Sequence, residues 1–427
     1  MNYRIFPPDE LLEADITLPL SKSLSNRVLI INALTEGAPD TVEVAACDDT
    51  DVTVRALSSD ADCINIGAAG TAMRFLTAYF AATPGRTVTL DGSDRMRHRP
   101  IRELVDALRC CGAKIEYAGE EGFPPLRITG HKLVGGSITV NSSISSQYIS
   151  ALLMVAPTMQ NGLEITLEGE VMSRPYINMT LGLMRQHGVE GEFVDKVITI
   201  PHGRYVPCSD KVEADWSAAS YWYEIEALTS GWVTLHGLSN DSFQGDAKVA
   251  SIYENLGVNT DYEGGEEETD GIALVASPDL SPRLVMDLSD TPDLAQTIVV
   301  TCAMIGVPFC LSGLASLKIK ETDRLEALKT ELLKVGIMVE IENNNTLVWD
   351  GARRPITAMP EFDTYDDHRM AMAFAPVSIY LPGIVVRNVE VVSKSYPEYW
   401  SDLVKAGFRL VDADAPMAEG TDADDSE

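Results

Sequence analysis

The chain has 427 residues, of which 64 are acidic and 33 are lysine or arginine, so its formal charge is −31. This length allows two domains of ordinary size, and a hydrophobic content of 45% is typical of a soluble globular protein. No stretch approaches the roughly 18 apolar residues of a membrane span. The N-terminus lacks a signal-peptide pattern. The negative charge disfavours a nucleic-acid partner, because phosphate backbones bind cationic surfaces.

Cysteine usage indicates the compartment. The seven cysteines form no CxxC pair, which argues against both a disulfide framework and a zinc site. We therefore expect a reducing cytoplasm.

The first two motifs place small or hydroxyl residues at the start of predicted helices. The run Leu18–Arg27 opens an apolar helical pattern in which Ser21 or Ser23 can act as the cap. The N–H groups at such a helix start attract anions, and the two cations of this run add full charges. The run Gly67–Arg74 precedes another apolar helix, and its small residues let a ligand approach the backbone. Each run alone is also consistent with a simple capped or closely packed helix.

The next motifs are polar runs that precede helices. Arg95–Pro100 concentrates four ionisable groups, and Pro100 suits the first position of the following helix. The runs Ser142–Gln147 and Ser173–Tyr176 offer hydroxyl and amide groups, which can bind phosphate or sugar hydroxyls. A solvated loop or a helix cap is the alternative for each of them.

The run Lys320–Arg324 places a carboxylate between two cations ahead of an amphipathic helix. Lys320 and Arg324 share a face if that helix starts early. In so acidic a chain, this pocket is suited to a small anion, with a solvated helix start as the alternative. The run Asp367–Arg369 repeats the combination of acid and cation. The segment Val411–Glu427 holds seven acidic residues and is predicted to be a disordered tail.

A weak internal repeat organises the chain. A helical pattern that ends in glycine, followed by a strand-like run, recurs at intervals of 69 to 79 residues. The five glycines are Gly112, Gly188, Gly257, Gly336 and Gly407. Each suits the left-handed position that closes a helix. The runs Lys114–Tyr117 and Met338–Ile341 alternate as half-buried strands do. With a truncated copy between Asp49 and Ile66, these units predict two domains of three units each, although the same succession recurs in other α/β proteins.

Taken together, these motifs resemble those of the enolpyruvyl transferases, and in particular the branch of that family that uses shikimate 3-phosphate. The resemblance covers nearly the whole chain before the acidic tail, in the expected order. The matching residues are Ser21-Lys22-Ser23, Asn26-Arg27, Ala69 to Arg74, Arg99-Pro100, Ser145-Ser146-Gln147, Ser173 with Pro175-Tyr176, Pro292-Asp293, Lys320 to Arg324, Asp367 to Met372, and Lys394.

The resemblance implies transfer of the enolpyruvyl group of phosphoenolpyruvate to the 5-hydroxyl of shikimate 3-phosphate, through a tetrahedral intermediate and with release of phosphate. This is a step of chorismate and aromatic amino acid biosynthesis. The resemblance implies no metal or organic cofactor, no nucleic-acid or membrane partner, and a cytoplasmic monomer. The sister enzymes acting on UDP-N-acetylglucosamine typically carry a cysteine in the loop before their Arg-Pro. Residues 92–98 contain none, which disfavours that alternative.

The resemblance also implies residue roles. Asp293 would accept the hydroxyl proton, Glu321 would be the proton-transfer partner at the phosphoenolpyruvate methylene, and Lys22 would be catalytic as well. His368 would assist proton transfer, or, with Asp367 beside it, would have a purely orienting role. The residues expected to bind phosphoenolpyruvate are Lys22, Gly70, Arg99, Gln147, Arg324, Arg369 and Lys394. Those expected to bind shikimate 3-phosphate are Lys22, Ser23, Arg27, Ser145, Ser146, Gln147, Ser173, Tyr176, Asp293, Ser316 and Lys320.

Two of these residues carry further expectations. The cations on either side of Glu321 should lower its pKa, and bound anionic substrates should raise it again. Without the resemblance, Asp293 would be read as a helix cap after a proline.

The fold implied by the resemblance is α/β, a two-domain inverse α/β barrel of six βαβαββ-like units, the first of them truncated. The chain should cross between the domains near Leu20 and near Asp215. One domain would comprise residues 1–19 and 216–427 and the other residues 20–215, with the site in the cleft between them.

Three departures from the family pattern stand in the first unit. The segment Leu57–Ile66 is shorter than usual, so this unit should lack strands. Ala68 replaces the usual asparagine, and Phe75 replaces the proline of many members. We expect these changes to affect efficiency and the response to the family inhibitor glyphosate more than the reaction itself.

Overall fold

The computed structural model describes residues 1–39, 41–141, 146–169, 171, 174–209, 211–262 and 271–415. The helices are α1 (Lys22–Ala33), α2 (Asp48–Ser58), α3 (Gly70–Ala82), α4 (Arg102–Cys110), α5 (Ser146–Val155), α6 (Arg174–Gln186), α7 (Trp216–Thr229), α8 (Val249–Tyr253), α9 (Ala295–Ile305), α10 (Arg324–Lys334), α11 (His368–Phe374) and α12 (Tyr399–Lys405). In the described part of the chain, none of the helices combines the length and apolarity needed to cross a membrane.

The strands are β1 (Asn2–Phe6), β2 (Glu13–Thr17), β3 (Cys63–Asn65), β4 (Thr87–Asp91), β5 (Lys114–Tyr117), β6 (Leu126–Thr129), β7 (Gly136–Asn141), β8 (Leu163–Glu168), β9 (Glu192–Val194), β10 (Val197–Ile200), β11 (Trp232–His236), β12 (Leu256–Asp261), β13 (Gly271–Leu280), β14 (Leu284–Asp287), β15 (Phe309–Ser312), β16 (Glu340–Glu342), β17 (Thr346–Trp349), β18 (Glu361–Phe362), β19 (Ile384–Arg387) and β20 (Arg409–Asp412).

The described residues form five four-stranded sheets that share one pattern of strand pairing, although the sheet that contains β1 has a different order along the chain. In the sheet β3-β4-β6-β5, the first two strands are parallel and the other pairings are antiparallel. The remaining sheets have the orders β7-β8-β10-β9, β2-β11-β13-β12, β14-β15-β17-β16 and β18-β19-β1-β20. Alternate side chains of strands such as β8 are buried, so one face of the sheet packs against a core and the other meets solvent.

The glycine at the end of each predicted repeat helix has a left-handed backbone. The φ angles are 98°, 78°, 85°, 80° and 93° for Gly112, Gly188, Gly257, Gly336 and Gly407. This confirms the helix-closing role of Gly112, Gly188, Gly336 and Gly407, because a Cβ would be strained in that conformation. For Gly257 the prediction is wrong, since it lies within β12 at an irregularity in the pairing with β13. The predicted strand Lys114–Tyr117 forms β5 with the same bounds, whereas the run Met338–Ile341 becomes a strand only from Glu340.

The buried apolar side chains form two cores. One core draws on residues between Ile5 and Leu18 and between Ala214 and Phe408. The other draws on residues between Leu24 and Val212. Where the chain passes from one core to the other, its two connections lie side by side, and the N–H of Asp215 donates to the carbonyl of Pro19 at 2.8 Å.

Two expectations about the ends of the pattern are corrected by the structure. The segment Leu57–Ile66 was expected to leave the first unit without strands, but it contains β3, which pairs with β4. The prediction of a disordered segment from Val411 is wrong for its first residues. Val411 and Asp412 belong to β20 and pair with Arg4 and Tyr3 of β1, because this edge of the sheet offers free backbone groups. Residues 416–427 lie outside the described part.

Candidate active site

A cavity brings together side chains from residues 22–176 and from residues 293–369. The cations in its lining are Lys22, Arg27, Arg74, Arg99, Lys320, Arg324 and Arg369. The carboxylates in its lining are Asp49, Asp293 and Glu321. This local excess of cations in an acidic chain focuses a positive potential on the cavity and suits it to anions.

Most of the predicted site residues lie at this cavity. Those that line it are Lys22, Ser23, Arg27, Gly70, Arg99, Ser146, Gln147, Tyr176, Asp293, Ser316, Lys320, Glu321, Arg324, His368 and Arg369. Lys394 reaches the site through an ion pair with Glu321, with 2.6 Å between Nζ and Oε1. Ser145 and Ser173 lie outside the described residues, so their placement stays a prediction.

Lys22 is the first residue of α1. Ser21 and not Ser23 caps the helix, because the Ser21 hydroxyl accepts from the N–H of Leu24 at 3.5 Å. The Nζ of Lys22 lies 3.6 Å from Oδ2 of Asp49. Burial lowers the pKa of Lys22, but Asp49 and other nearby acidic groups outweigh burial and raise it. The side chain therefore offers a full positive charge to the cavity.

Arg27 is buried among neutral partners. Its guanidinium donates to the hydroxyls of Thr180 at 2.8 Å and Ser150 at 3.0 Å. Its Cζ lies 5.4 Å from the ring centroid of Phe75 and 5.8 Å from that of Tyr176, within the range of cation–π attraction. Within the described ranges, no carboxylate forms an ion pair with it. Burial lowers its pKa to about 10, so at neutral pH it remains a cation whose charge is not balanced by the protein.

Gly70 separates two guanidinium groups. A Cβ built on Gly70 would lie 2.5 Å from an Nη of Arg99 and 3.1 Å from an Nη of Arg74. The Arg99 side chain has no hydrogen-bond or ion-pair partner among the described residues, so it is available to a ligand. Only glycine leaves room for this arrangement. The position begins α3 instead of preceding it.

Arg74 belongs to the matched motif but was not among the predicted site residues. Its guanidinium donates to the carbonyl of Gly70 at 2.9 Å and to that of Pro100 at 3.4 Å. It therefore joins the start of α3 to the Arg99-Pro100 segment. The prediction that Pro100 begins the next helix is wrong, since α4 starts at Arg102. The carbonyl of Pro100 instead accepts from Arg74 and from the hydroxyl of Tyr148.

Arg324 binds three carboxylates and is only 1% exposed. Its nitrogens lie 2.8 Å from Asp293, 2.9 Å from Glu321 and 2.7 Å from Asp367. Burial lowers the pKa of Arg324, but the three carboxylates outweigh burial, so its pKa lies above the ordinary value. The helix α10 begins at Arg324 behind an Asp323 cap. The shared helical face proposed for Lys320 and Arg324 is therefore absent, because α10 starts too late to include Lys320.

Asp293 lies in a short 3-10 turn before α9 and accepts contacts from both walls of the cavity. Its carboxylate is 3.6 Å from Nζ of Lys320, 3.5 Å from Arg369, and 3.2 Å from the hydroxyl of Tyr176. Burial raises its pKa, but Lys320, Arg369 and Arg324 together lower it well below the ordinary value. The cap interpretation is not observed, because Leu294 holds the capping position of α9.

Glu321 is held by Lys394 and Arg324. Burial raises its pKa, and these two cations outweigh burial, so the pKa falls well below the ordinary value. The predicted direction is therefore confirmed, but one of the two predicted causes is wrong. Lys320 turns to Asp293 instead of Glu321, and Lys394 from a distant part of the chain takes its place.

His368 is buried at the cavity, and neither ring nitrogen has a hydrogen-bond partner among the described residues. Its Nδ1 lies 3.7 Å from Asp367, which is too long for a hydrogen bond. Asp367 instead caps α11 and binds Arg324. Burial, Lys22 and Arg369 lower the pKa of His368 well below its usual range, which keeps the ring neutral. In the described ranges, no three His, Cys, Asp or Glu side chains are grouped to hold a metal ion.

Comparison with solved structures defines the fold class. The chain is similar to EPSP synthase from Acinetobacter baumannii, with a TM-score of 0.76 at 21% identity, over 96% of this chain and 100% of that chain. It is also similar to the enolpyruvyl transferase NikO from Streptomyces tendae, with a TM-score of 0.71 at 15% identity, over 96% and 99% of the two chains. The fold is therefore that of an enolpyruvyl transferase.

Sequence comparison defines the family more closely. Residues 54–403 match the family of EPSP synthase (3-phosphoshikimate 1-carboxyvinyltransferase). A Bacteroides fragilis protein named 3-phosphoshikimate 1-carboxyvinyltransferase is 52% identical over 412 residues, covering 96% of this chain and 99% of the relative. A Syntrophobacter fumaroxidans protein of the same name is 35% identical over 422 residues, covering 92% and 97%. The chain belongs to the EPSP synthase family.

Proposed function

We propose that this chain transfers the enolpyruvyl group of phosphoenolpyruvate to the 5-hydroxyl of shikimate 3-phosphate. The observation that carries the proposal is the convergence of cations from both sides of the cavity around the carboxylates of Asp293 and Glu321. Both substrates are polyanions. Their binding therefore needs cations whose charge is not already neutralised by carboxylates of the protein. Family membership and the names of the relatives point to the same reaction.

Phosphoenolpyruvate would bind on the side of Lys394. Its carboxylate and phosphate each present oxygens to which guanidinium groups donate in pairs. The cations and polar groups assigned to it are Lys22, Gly70, Arg99, Gln147, Arg324, Arg369 and Lys394. Among these, Arg99 has no partner in the described residues. It offers all its side-chain donors to the ligand.

Shikimate 3-phosphate would bind nearer to α5 and α6. The residues assigned to it are Lys22, Ser23, Arg27, Ser145, Ser146, Gln147, Ser173, Tyr176, Asp293, Ser316 and Lys320. The hydroxyl oxygen of Ser316 is buried without a partner among the described residues, so a substrate hydroxyl would satisfy it. The unbalanced charge of Arg27 suits the phosphate.

The chemistry needs one proton to leave and one to arrive. The 5-hydroxyl oxygen bonds to C2 of phosphoenolpyruvate and gives its proton to Asp293, while C3 takes a proton from Glu321, which is protonated once the substrates are bound and has Lys22 close by. The tetrahedral intermediate then expels phosphate as C3 loses a proton. The low pKa values of both carboxylates keep them ionised in the free protein. Bound anions that occupy Lys394, Arg324 and Lys320 would raise those values and make proton transfer favourable.

We also propose that residues 1–19 with 216–427 and residues 20–215 form two domains that close on the substrates. The two separate apolar cores and the paired connections at Pro19 and Asp215 support this division. Closure would exclude water from the cations. Small-angle scattering tests it: addition of both ligands should reduce the radius of gyration, and an unchanged value would count against closure.

The protein is further proposed to act as a monomer in a reducing cytoplasm. Its seven cysteines are all unpaired, which suits that compartment. Sedimentation with and without ligands tests the oligomeric state.

The experiment for the reaction is phosphate release from phosphoenolpyruvate by the purified chain. Release should require shikimate 3-phosphate and should yield its enolpyruvyl ether in equal amount, as detected by mass spectrometry. A parallel reaction with UDP-N-acetylglucosamine serves as the control acceptor. Release that is faster with UDP-N-acetylglucosamine, or that ignores both acceptors, would contradict the proposal.

A further inference from the structure

Two residues outside the predicted site, Ser217 and Asp246, support the guanidinium of Arg369 through a chain of hydrogen bonds. One of its Nη atoms donates to the hydroxyl of Ser217 at 3.3 Å. The hydroxyl of Ser217 in turn donates to the carboxylate of Asp246. Asp246 is only 5% exposed, so solvent does not compete for its oxygens. The three side chains form a chain of hydrogen bonds that ends at the cavity.

The direction of these bonds depends on the charge of Asp246. A guanidinium can only donate, and an ionised carboxylate can only accept. Ser217 satisfies both neighbours by giving its single proton to Asp246 and accepting from Arg369. A protonated Asp246 can donate to Ser217 instead, so the hydroxyl loses its bond to a charged carboxylate and its proton is no longer held away from Arg369. The hold of Ser217 on Arg369 is then weaker, while the carbonyl of Asp293 stays 3.3 Å away and the Tyr221 hydroxyl stays nearby.

The surroundings of Asp246 bring that change close to neutral pH. Burial and the carboxylate of Asp293 raise the pKa of Asp246 to about 6, against the opposing effects of Arg369 and the Ser217 hydroxyl. Asp215 at the start of α7 also raises it. On the opposite wall, Tyr176 of α6 faces the same group.

Asp246 owes its place to a contact between the two walls of the cavity. The segment Phe243–Asp246 packs on α6, which carries Tyr176. A Cβ built on Gly182 of α6 would lie 2.9 Å from the ring of Phe243, and one built on Gly245 would lie 2.4 Å from Pro175. Glycine at both positions allows this close approach. The orientation of Arg369 is thereby linked to the docking of α6.

We propose that Asp246, acting through Ser217, is a positioning residue that orients Arg369 for the anionic substrate when its carboxyl group is ionised. The inference rests on the proposed function, in which Arg369 binds phosphoenolpyruvate. It adds two residues and a pH-dependent element to that site. Asp246 itself need not touch either substrate.

The test compares Asp246→Asn with the unaltered chain from about pH 5 to about pH 8. The amide resembles the protonated carboxyl group, so the KM for phosphoenolpyruvate should be raised about tenfold at pH 8, the effect of losing one hydrogen bond to a charged group. The KM for shikimate 3-phosphate and kcat should change much less. Substrate phosphates also titrate near pH 6, but they do so equally with both proteins. The ratio of the two KM values should therefore fall towards one as the pH drops below about 6.

Ser217→Ala supplies the second arm. It should raise the same KM, and the double variant should be no worse than the single ones, because the hydroxyl transmits the effect of the carboxyl group. It also carries the test alone if Asp246→Asn fails to fold. Asp290→Asn is the matched control, since this carboxylate is exposed to solvent and pairs with Lys248 at 3.1 Å. It should leave both KM values unchanged.

Three results would overturn the inference: an unchanged KM for phosphoenolpyruvate in both variants, a ratio that does not vary with pH, or additive effects in the double variant. An unaltered chain that releases no phosphate with shikimate 3-phosphate would instead contradict the proposed function. The two failures are therefore distinguishable.

Discussion

At the scale of single residues, Gly70 limits the space available to phosphoenolpyruvate. A methyl group at this position would meet the guanidinium groups of Arg99 and Arg74 at 2.5 and 3.1 Å. We expect Gly70→Ala to displace Arg99 and to raise the KM for phosphoenolpyruvate about tenfold, the equivalent of about 1.4 kcal/mol. The KM for shikimate 3-phosphate should change little. Steady-state kinetics with each substrate varied in turn would measure both values.

Gly203→Ala is the control for this substitution, because a Cβ at Gly203 would meet nothing within 4 Å. An equal rise in both KM values for Gly70→Ala would show a general distortion and would contradict the specific crowding of Arg99.

The residues of the site could be predicted in type and order but not in pairing. The motif around Lys320 indicated a carboxylate between cations, yet the partner of Glu321 is Lys394, 73 residues further along the chain. Arg74 was visible within its motif, but its burial and its bonds to two carbonyl groups follow from packing. Asp246 gave no signal, because nothing in a single sequence relates it to Arg369.

At the scale of secondary-structure elements, the glycine after α10 is required by the backbone. Gly336 has a φ of 80°, and a Cβ there would lie 2.2 Å from the carbonyl oxygen of Arg354. Gly336→Ala should therefore reduce the free energy of unfolding by about 2 kcal/mol, combining the left-handed strain with the clash. Urea titration followed by circular dichroism would measure the loss.

Gly203→Ala again provides the comparison, since it has neither constraint, and it should shift the free energy of unfolding by less than about 0.5 kcal/mol. A Gly336→Ala protein as stable as the Gly203→Ala protein would refute the helix-closing role.

The repeat was predictable because helix-ending glycines and alternating strands leave a local pattern. Helix starts were less predictable, as α4 and α10 show. Pro100 and Lys320 were assigned to the first turns of these helices, but tertiary contacts of the Pro100 carbonyl and of the Lys320 ammonium hold both residues outside them. The pairing of Val411 and Asp412 with β1 was also hidden, because it joins the two ends of the described chain.

At the scale of the whole molecule, a buried acid should make stability depend on pH. Both carboxyl oxygens of Glu224 in α7 are buried without a hydrogen-bond partner in the described residues. Burial raises its pKa well above the usual 4.5. Its neutral form is compatible with the core, so its stabilising contribution is full below about pH 4.5 and is lost as the pH rises towards the folded-state pKa.

The free energy of unfolding should therefore contain a term that decreases from about pH 5 towards about pH 8, by about 1.4 kcal/mol for each pH unit over which only the unfolded state ionises. Glu224→Gln should remove that term, whereas Glu116→Gln on the exposed face of β5 should keep it. Urea titrations across this pH range would test the difference, and identical curves for the two variants would contradict the assignment.

The account as a whole depends on Asp293 and Glu321 moving protons while the surrounding cations hold two anions. The direct measurement is deuterium uptake at C3 of phosphoenolpyruvate and of the product in D₂O, followed by mass spectrometry. The unaltered chain should incorporate deuterium only when shikimate 3-phosphate is present, and Asp293→Asn and Glu321→Gln should slow incorporation about 100-fold or more. Uptake at an undiminished rate in both variants, or uptake without shikimate 3-phosphate, would contradict it.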